Sequence, residues 1–188
     1  MKKPARRVLR KILKFLTHAV IKKHDPTVIA LVGESGTSVP REVLYQILHK
    51  HFPTRRNIES PEAEFVVPLT VIGTEQYPQD IIDWLELILK TIGQLLFLPA
   101  HANILILEMN TSLAEILDYW LDITKPDYII TCGKHPQSPY IEKENALEAP
   151  PASSTNLEKY KDLAIEIGTS LGLSEKSIHK EFSSINLP

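Results

Sequence analysis

The sequence predicts an α/β fold: a mainly parallel sheet with helices on both faces, preceded by a basic amphipathic helix. Three observations carry this. Val28-Ile29-Ala30-Leu31-Val32, Asn103-Ile104-Leu105-Ile106-Leu107-Glu108 and Asp127-Tyr128-Ile129-Ile130-Thr131 are short, nearly all-apolar runs, of the kind buried on both faces of a parallel sheet. Segments with helical apolar spacing lie between them, so the strands are joined by crossover helices. The first run leads into a glycine turn and a helix start, Gly33-Glu34-Ser35-Gly36-Thr37-Ser38, which is a phosphate cradle in principle.

Taken in order, residues 1–24 read as a helix. Ala5, Val8, Leu9, Ile12, Leu13, Leu16, Ala19 and Val20 recur at helical spacing, with Arg6, Arg7, Arg10, Lys11 and Lys14 on the other side. Asp25-Pro26 breaks it. Residues 25–135 form the α/β core: the first strand, a helix from Ser38 (with Pro40 in its first turn) to about His51, and extended structure at Phe65-Val66-Val67 and Leu69-Thr70-Val71-Ile72 around Pro68. A long helix from Ile81 to Phe97, apolar on more than one side, is expected to be well buried. The second strand follows, then a helix capped by Ser112 and running to Ile123, then the third strand. Residues 136–155 are rich in Pro, Ser, Glu and Ala and read as a mobile linker. Residues 156–188 form a closing helical pair: Asn156 caps a helix to Leu171, Gly172 ends it, and Ser174 caps a last helix to Phe182.

With 188 residues, 43% hydrophobic and 23% charged, the chain can bury a core without disulfides or a structural metal. Cys132 is the only cysteine, so no intrachain disulfide and no multi-cysteine zinc site can form. A reducing cytoplasm is the expected compartment. No apolar run reaches the ~18 residues of a membrane span. Lys14 and His18 interrupt the first apolar stretch, so no secretory signal is expected.

Charge is unevenly placed. Residues 1–24 hold nine basic residues and no acid, leaving 12 of the 21 basic residues against all 23 acids, a body of −11. The basic helix therefore has two readings. It lies on an anionic membrane surface, at the inner face of the membrane, or it docks on the acidic body. Docking is expected, with Val8, Leu9, Ile12 and Leu16 buried, because the body is always present. No nucleic-acid partner is expected.

Alone, Gly33-x-x-Gly36 is a weak signal, but it has company. Val28 to Glu42, reading Val-Ile-Ala-Leu-Val-Gly-Glu-Ser-Gly-Thr-Ser-Val-Pro-Arg-Glu, resembles the opening strand and P-loop-like ATP loop of the Mur ligases. The variant most like it adds D-alanyl-D-alanine to the UDP-muramoyl tripeptide. Val66-Val67-Pro68-Leu69-Thr70, Ile104 to Met109, and Lys125-Pro126-Asp127 resemble three later family segments, in the same order. Ala164, Gly168, Leu171 to Ser174 and Ile178 are similar to the helical pair closing the family's central domain. The resemblance implies a vestigial phosphate loop at Gly33, Glu34, Ser35, Gly36, Thr37 and Ser38, with ATP and magnesium as cofactors bound at most weakly. It also implies a metal role for Glu108, which ends the second strand, and for His135.

The departures point away from catalysis. Thr37 stands where the family has the lysine that neutralises the β- and γ-phosphates. A unit charge ~4 Å away at an effective dielectric of ~20 is worth roughly 4 kcal/mol, or several hundred-fold in affinity. Glu34 adds a like charge unless it points outward. Of the family's Asn-Asn-Glu stretch only Glu64 survives, in Glu62-Ala63-Glu64. The family's substrate domain and amino-acid domain have no counterpart in these residues.

Each candidate also has an ordinary alternative. Glu108 is then an exposed strand-end carboxylate and His135 a solvated loop residue. His49, His51 and His101 show no ligand spacing, Trp84 and Trp120 sit at core positions, and Cys132 is inert. Three functions stay open: a non-catalytic Mur-ligase-like partner of an intact ligase or other cell-wall enzyme, a minimal ATP-dependent ligase or nucleotide hydrolase using Ser38 and Glu108 with magnesium and completed by another chain, and a membrane-surface module. The first is expected.

Overall fold

The structure, a computed structural model, describes residues 3–57, 64–74, 76–97, 102–141, 146–149 and 157–185. The strands are β1 (Thr27–Gly33), β2 (Thr54–Arg56), β3 (Ile104–Asn110), β4 (Tyr128–Thr131) and β5 (Ala146–Glu148). They pair in the order β2-β3-β1-β4-β5, every pair parallel. The expected parallel α/β sheet is the fold observed.

The helices are α1 (Lys3–His24), α2 (Ser38–Leu48), α3 (Val66–Ile72), α4 (Ile81–Phe97), α5 (Ala114–Thr124), α6 (Lys161–Ser170, after a 3-10 turn at Leu157–Tyr160) and α7 (Glu175–Phe182). From β1 the chain runs outward to the β2 edge, then returns through β3 and crosses to β4 on the other side. This reversal puts α2 on one face and α3 and α5 on the other, as right-handed crossovers require.

Strand parity sorts the core. Ile29, Leu31, Ile104, Ile106 and Ile130 face α2, α6 and α7, whereas Val28, Ala30, Val32, Leu105, Leu107 and Met109 face α3 and α5. The closing helices thus pack on the α2 face, with Tyr160, Ile167 and Ile178 fully buried. Ser174 caps α7 as expected, accepting from the Ser177 N–H. The expected cap at Asn156 lies outside the described residues.

α1 docks. Leu9, Leu13 and Leu16 pack in a cluster with Phe65, Leu69, Ile72 and Leu87, and Val20 reaches the sheet core. The Arg6 guanidinium pairs with the buried Glu64 carboxylate, and Lys14 pairs with Asp122. Two of the residues expected to be buried are not: Val8 is 58% exposed, and Ile12 is only half-buried.

Four other expectations need correction. Residues 66–72 are the helix α3, not extended structure. Every residue of it is buried, and burial on all sides overrides the strand preference of β-branched residues. Pro68 falls in its first turn, where the backbone nitrogen has no helical acceptor to lose. Gly73, at φ 95°, ends it. Secondly, α4 is exposed rather than well buried. It meets α1 and the body along one narrow stripe of Trp84, Leu87, Ile88, Thr91 and Leu95, and most of its other apolar residues, Ile82 and Leu89 among them, are exposed. Thirdly, residues 136–155 are not a bare connector. Ala146–Glu148 pairs with β4 as the sheet's edge strand, and Ser138 and Ile141 are buried. A three-residue strand has no periodicity to read, so the composition concealed it. Finally, α5 begins at Ala114 after Leu113, which gives no side-chain cap; the Thr111 hydroxyl instead accepts from the Leu113 N–H at 3.0 Å.

Among the described residues no helix is long and apolar enough to cross a membrane.

Candidate functional site at the carboxyl end of the sheet

In an open α/β sheet, sites form beyond the carboxyl ends of the strands where the strand order reverses. Here that place is the end of β1, between β3 and β4. The register sets Leu31 beside Glu108, Gly33 beside Asn110, and Val32 beside Thr131. Glu108 shares the parity of Ile104 and Ile106, so its side chain leaves the sheet on the α2 face. The first turn of α2 lies directly over it.

The loop takes its shape from two glycines. A Cβ on Gly33 would stand 2.3 Å from the Cys132 carbonyl oxygen, so this position admits only glycine while β1 and β4 stay paired. Gly36 adopts φ 81°, the left-handed region that glycine enters without strain. Between them the Glu34 N–H donates to the Lys134 carbonyl at 2.8 Å, and the Glu34 carboxylate lies 3.8 Å from the Lys134 ammonium. Ser35 is exposed. Thr37 is fully buried at the start of α2, yet its hydroxyl caps nothing on the helix.

That hydroxyl donates to Glu108 Oε1 instead. Ser38 donates to the same oxygen at 3.2 Å, and the Arg41 guanidinium pairs with Oε2. Glu108 is 2% exposed, so the reading of it as an ordinary exposed strand-end carboxylate is wrong. Its charge is taken up by protein donors: two hydroxyls and one guanidinium, all from residues 37–41.

Asn57, just past β2, completes the cluster and had no signal in the sequence. Its Nδ2 donates to the Glu108 carbonyl at 3.0 Å, and its Oδ1 accepts from the Glu108 N–H at 2.8 Å. One amide side chain thus satisfies both backbone groups of Glu108 beyond the end of β2. Arg41 also donates to the Asn57 carbonyl at 3.4 Å. Beside it Arg56 pairs with Glu42 and stacks over the Tyr45 ring, its guanidinium carbon 4.1 Å from the ring centroid. Burial, and then the neighbouring Arg41 charge, push the Arg56 pKa down.

His135 is not part of this donor set. It is half-buried, with Nδ1 3.0 Å from the Pro136 carbonyl oxygen. Among the described residues no group of three or more His, Cys, Asp or Glu side chains is placed to hold a metal ion. Magnesium does not fit Glu108 as it stands, because a cation there would have to displace Arg41 and both hydroxyls. A triphosphate would find the loop's backbone donors but no lysine at position 37.

Cys132 follows β4 below the loop. It is 2% exposed, and burial, with a smaller contribution from Glu108, pushes its thiol up to about 12. The thiol is therefore neutral at ordinary pH and a poor nucleophile. The folded state favours the protonated form. Its stabilising contribution is complete below the ordinary value of 9.0 and is lost as pH rises from there towards about 12. Denaturant melts across that window should show an alkaline loss of stability that Cys132→Ala reduces. A thiol reagent applied to the native protein below pH 9 should label Cys132 no faster than global unfolding exposes it.

The seam between α1 and α5 forms a groove of about 590 Å³. Of the four cations that line it, Arg10 and Lys14 are ion-paired. Arg10 pairs with Glu115 at 3.0 Å and Glu64 at 3.5 Å, and it lies 4.2 Å from the Tyr119 ring centroid. Lys14 takes Asp122. Burial raises the Tyr119 phenol, only partly opposed by Arg10. These contacts tie α1 to α5 beside its apolar seam with α3 and α4.

Fold and site together define an open, doubly wound α/β domain whose carboxyl-end carboxylate is neutralised from the first turn of α2. In comparisons with protein-family models, curated proteins and solved structures, the chain matches none of them.

Proposed function

We propose that this chain is a non-catalytic relative of the Mur ligases, acting as a binding or scaffolding partner in peptidoglycan precursor synthesis beside an intact ligase or another cell-wall enzyme. The order of the family-like segments, from Val28 to Ile178, supports the kinship. One observation carries the loss of catalysis: the Glu108 carboxylate, which resembles the family's metal ligand, is paired with Arg41 and hydrogen-bonded by Thr37 and Ser38. Arg41 and the two hydroxyls occupy the electrostatic role that a magnesium ion would have, and the buried Thr37 brings no charge towards a phosphate. The loop retains its glycine geometry without the cation that would make it a tight nucleotide site.

Calorimetric titration with ATP, with and without magnesium, tests this reading. The expected result is at most weak binding that magnesium does not tighten, and no release of phosphate. A low-micromolar affinity that depends on magnesium would instead favour a minimal ATP-dependent ligase completed by another chain. The partner role is tested by mixing the purified chain with a purified tripeptide–D-alanyl-D-alanine ligase and measuring co-elution. Failure to co-elute removes that partner.

A further inference from the structure

We propose that α4 and α1 together form a docking surface for an anionic lipid bilayer, with α4 supplying the apolar contact and α1 the cations. Ile82, Leu85, Leu89, Ile92 and Leu96 recur at three- and four-residue spacing along α4, and all are exposed, Leu89 at 69%. This stripe adjoins the one that α4 buries, on the side of Ile88. On α1, Phe15 is 72% exposed, and Val8 stands two turns before it.

The two exposed stripes are continuous. Ile12 of α1 and Ile88 of α4 are both half-buried in the same cluster. Val8 and Phe15 lie one turn either side of Ile12, and Leu85 and Ile92 lie one turn either side of Ile88. The Lys23 ammonium also donates to the Leu95 carbonyl at 2.6 Å, joining the ends of the two helices. An apolar surface of this length on two adjacent helices exceeds the scattered exposed residues of an ordinary protein face and marks an interaction site.

Charge selects the occupant. Lys11 lies between Val8 and Phe15 on α1, and Lys22 lies two turns beyond Phe15. Both are exposed, and neither makes an ion pair among the described residues. A second copy docked on the same surface would set one basic α1 beside another. An anionic lipid surface supplies counter-charge to these lysines and an apolar layer for the stripe, the combination that holds interfacial helices. Neither helix needs to span the bilayer.

Co-sedimentation of the full chain with vesicles tests the surface, independently of any nucleotide reading. Wild type should bind vesicles of phosphatidylcholine mixed with phosphatidylglycerol, more weakly as salt rises, and should bind phosphatidylcholine alone poorly. Leu85→Gln with Leu89→Gln, which keeps helix propensity, should weaken binding about tenfold or more per leucine. Lys11→Gln with Lys22→Gln should weaken it about fivefold per lysine. Lys180→Gln, on α7 at the opposite face, should bind as wild type. Circular dichroism melts should show every variant folded. Absence of binding to the mixed vesicles at low salt would overturn the proposal, as would binding that ignores both substitution pairs. So would a concentration-dependent dimer of wild type that Leu85→Gln with Leu89→Gln dissociates, since a second copy would then own the face.

Discussion

Replacing Glu108 with alanine is expected to cost about 3–5 kcal/mol of folding stability, the range for breaking a buried ion pair by removing one partner. Arg41, whose side chain is only 18% exposed, would be left with a charge facing the sheet and no carboxylate to meet it. The Thr37 and Ser38 hydroxyls would lose the acceptor they share. For a chain of this length each kcal/mol moves the melting temperature by about 2–4 °C, so the shift is large enough to read in a simple melt. Removing both charges, with Glu108→Leu and Arg41→Leu, should recover much of the loss, because a buried pair often contributes little net stability over apolar residues of similar size. A double-mutant cycle in urea measures the coupling directly. A loss under about 1 kcal/mol for Glu108→Ala would mean that the cluster is solvated and that the carboxylate is free for another ligand.

Leu13→Ala should cost about 2–5 kcal/mol, comparable to a deep core truncation, although it lies on the terminal helix. Leu13 is fully buried among residues of α3 and α4, so the attachment of α1 draws on this apolar seam as well as on its ion pairs. Val8→Ala, on the same helix but 58% exposed, should change stability by less than about 0.5 kcal/mol. The contrast between the two is the test. If both are silent, α1 is not docked in solution; if both are costly, Val8 is covered by something the fold itself does not supply. Phe65 and Trp84, edge-to-face at 5.8 Å, lie in the layer that Leu13 helps to close, so near-ultraviolet circular dichroism of Leu13→Ala should weaken as well.

The three central strands were legible because burial on both faces demands continuous apolar runs, and few helices mimic five such residues in a row. α1 was legible from its period, and α7 from the Ser174 cap. α3 was not, because Val66 to Ile72 is rich in β-branched residues and its helical state depends on being enclosed by α1, α5 and β3. α4 misled in the opposite sense. A helix apolar on several sides announces that those sides seek cover, without saying whether the chain provides it. The glycine turn and Glu108 were legible as a site, but their partnership with Arg41 and Asn57 was not. Glu108 and Asn57 are 51 residues apart in sequence, and no spacing rule connects them.

By itself, then, the sequence determined the class of fold, through the continuous apolar runs of strands buried on both faces and the 3.6-residue period of helices with one side on a core. It also determined which loop would stand at the sheet's carboxyl end. Only the tertiary structure decided what that loop does there. Strand order places β3 beside β1, and parity turns Glu108 towards α2. The first turn of α2 then brings Thr37, Ser38 and Arg41 onto one carboxylate. Those contacts join segments about 70 residues apart, and a pairing of that range comes from packing of the whole sheet. The exposed stripe of α4 has the same origin: composition made it apolar, and the position of α1 left it uncovered.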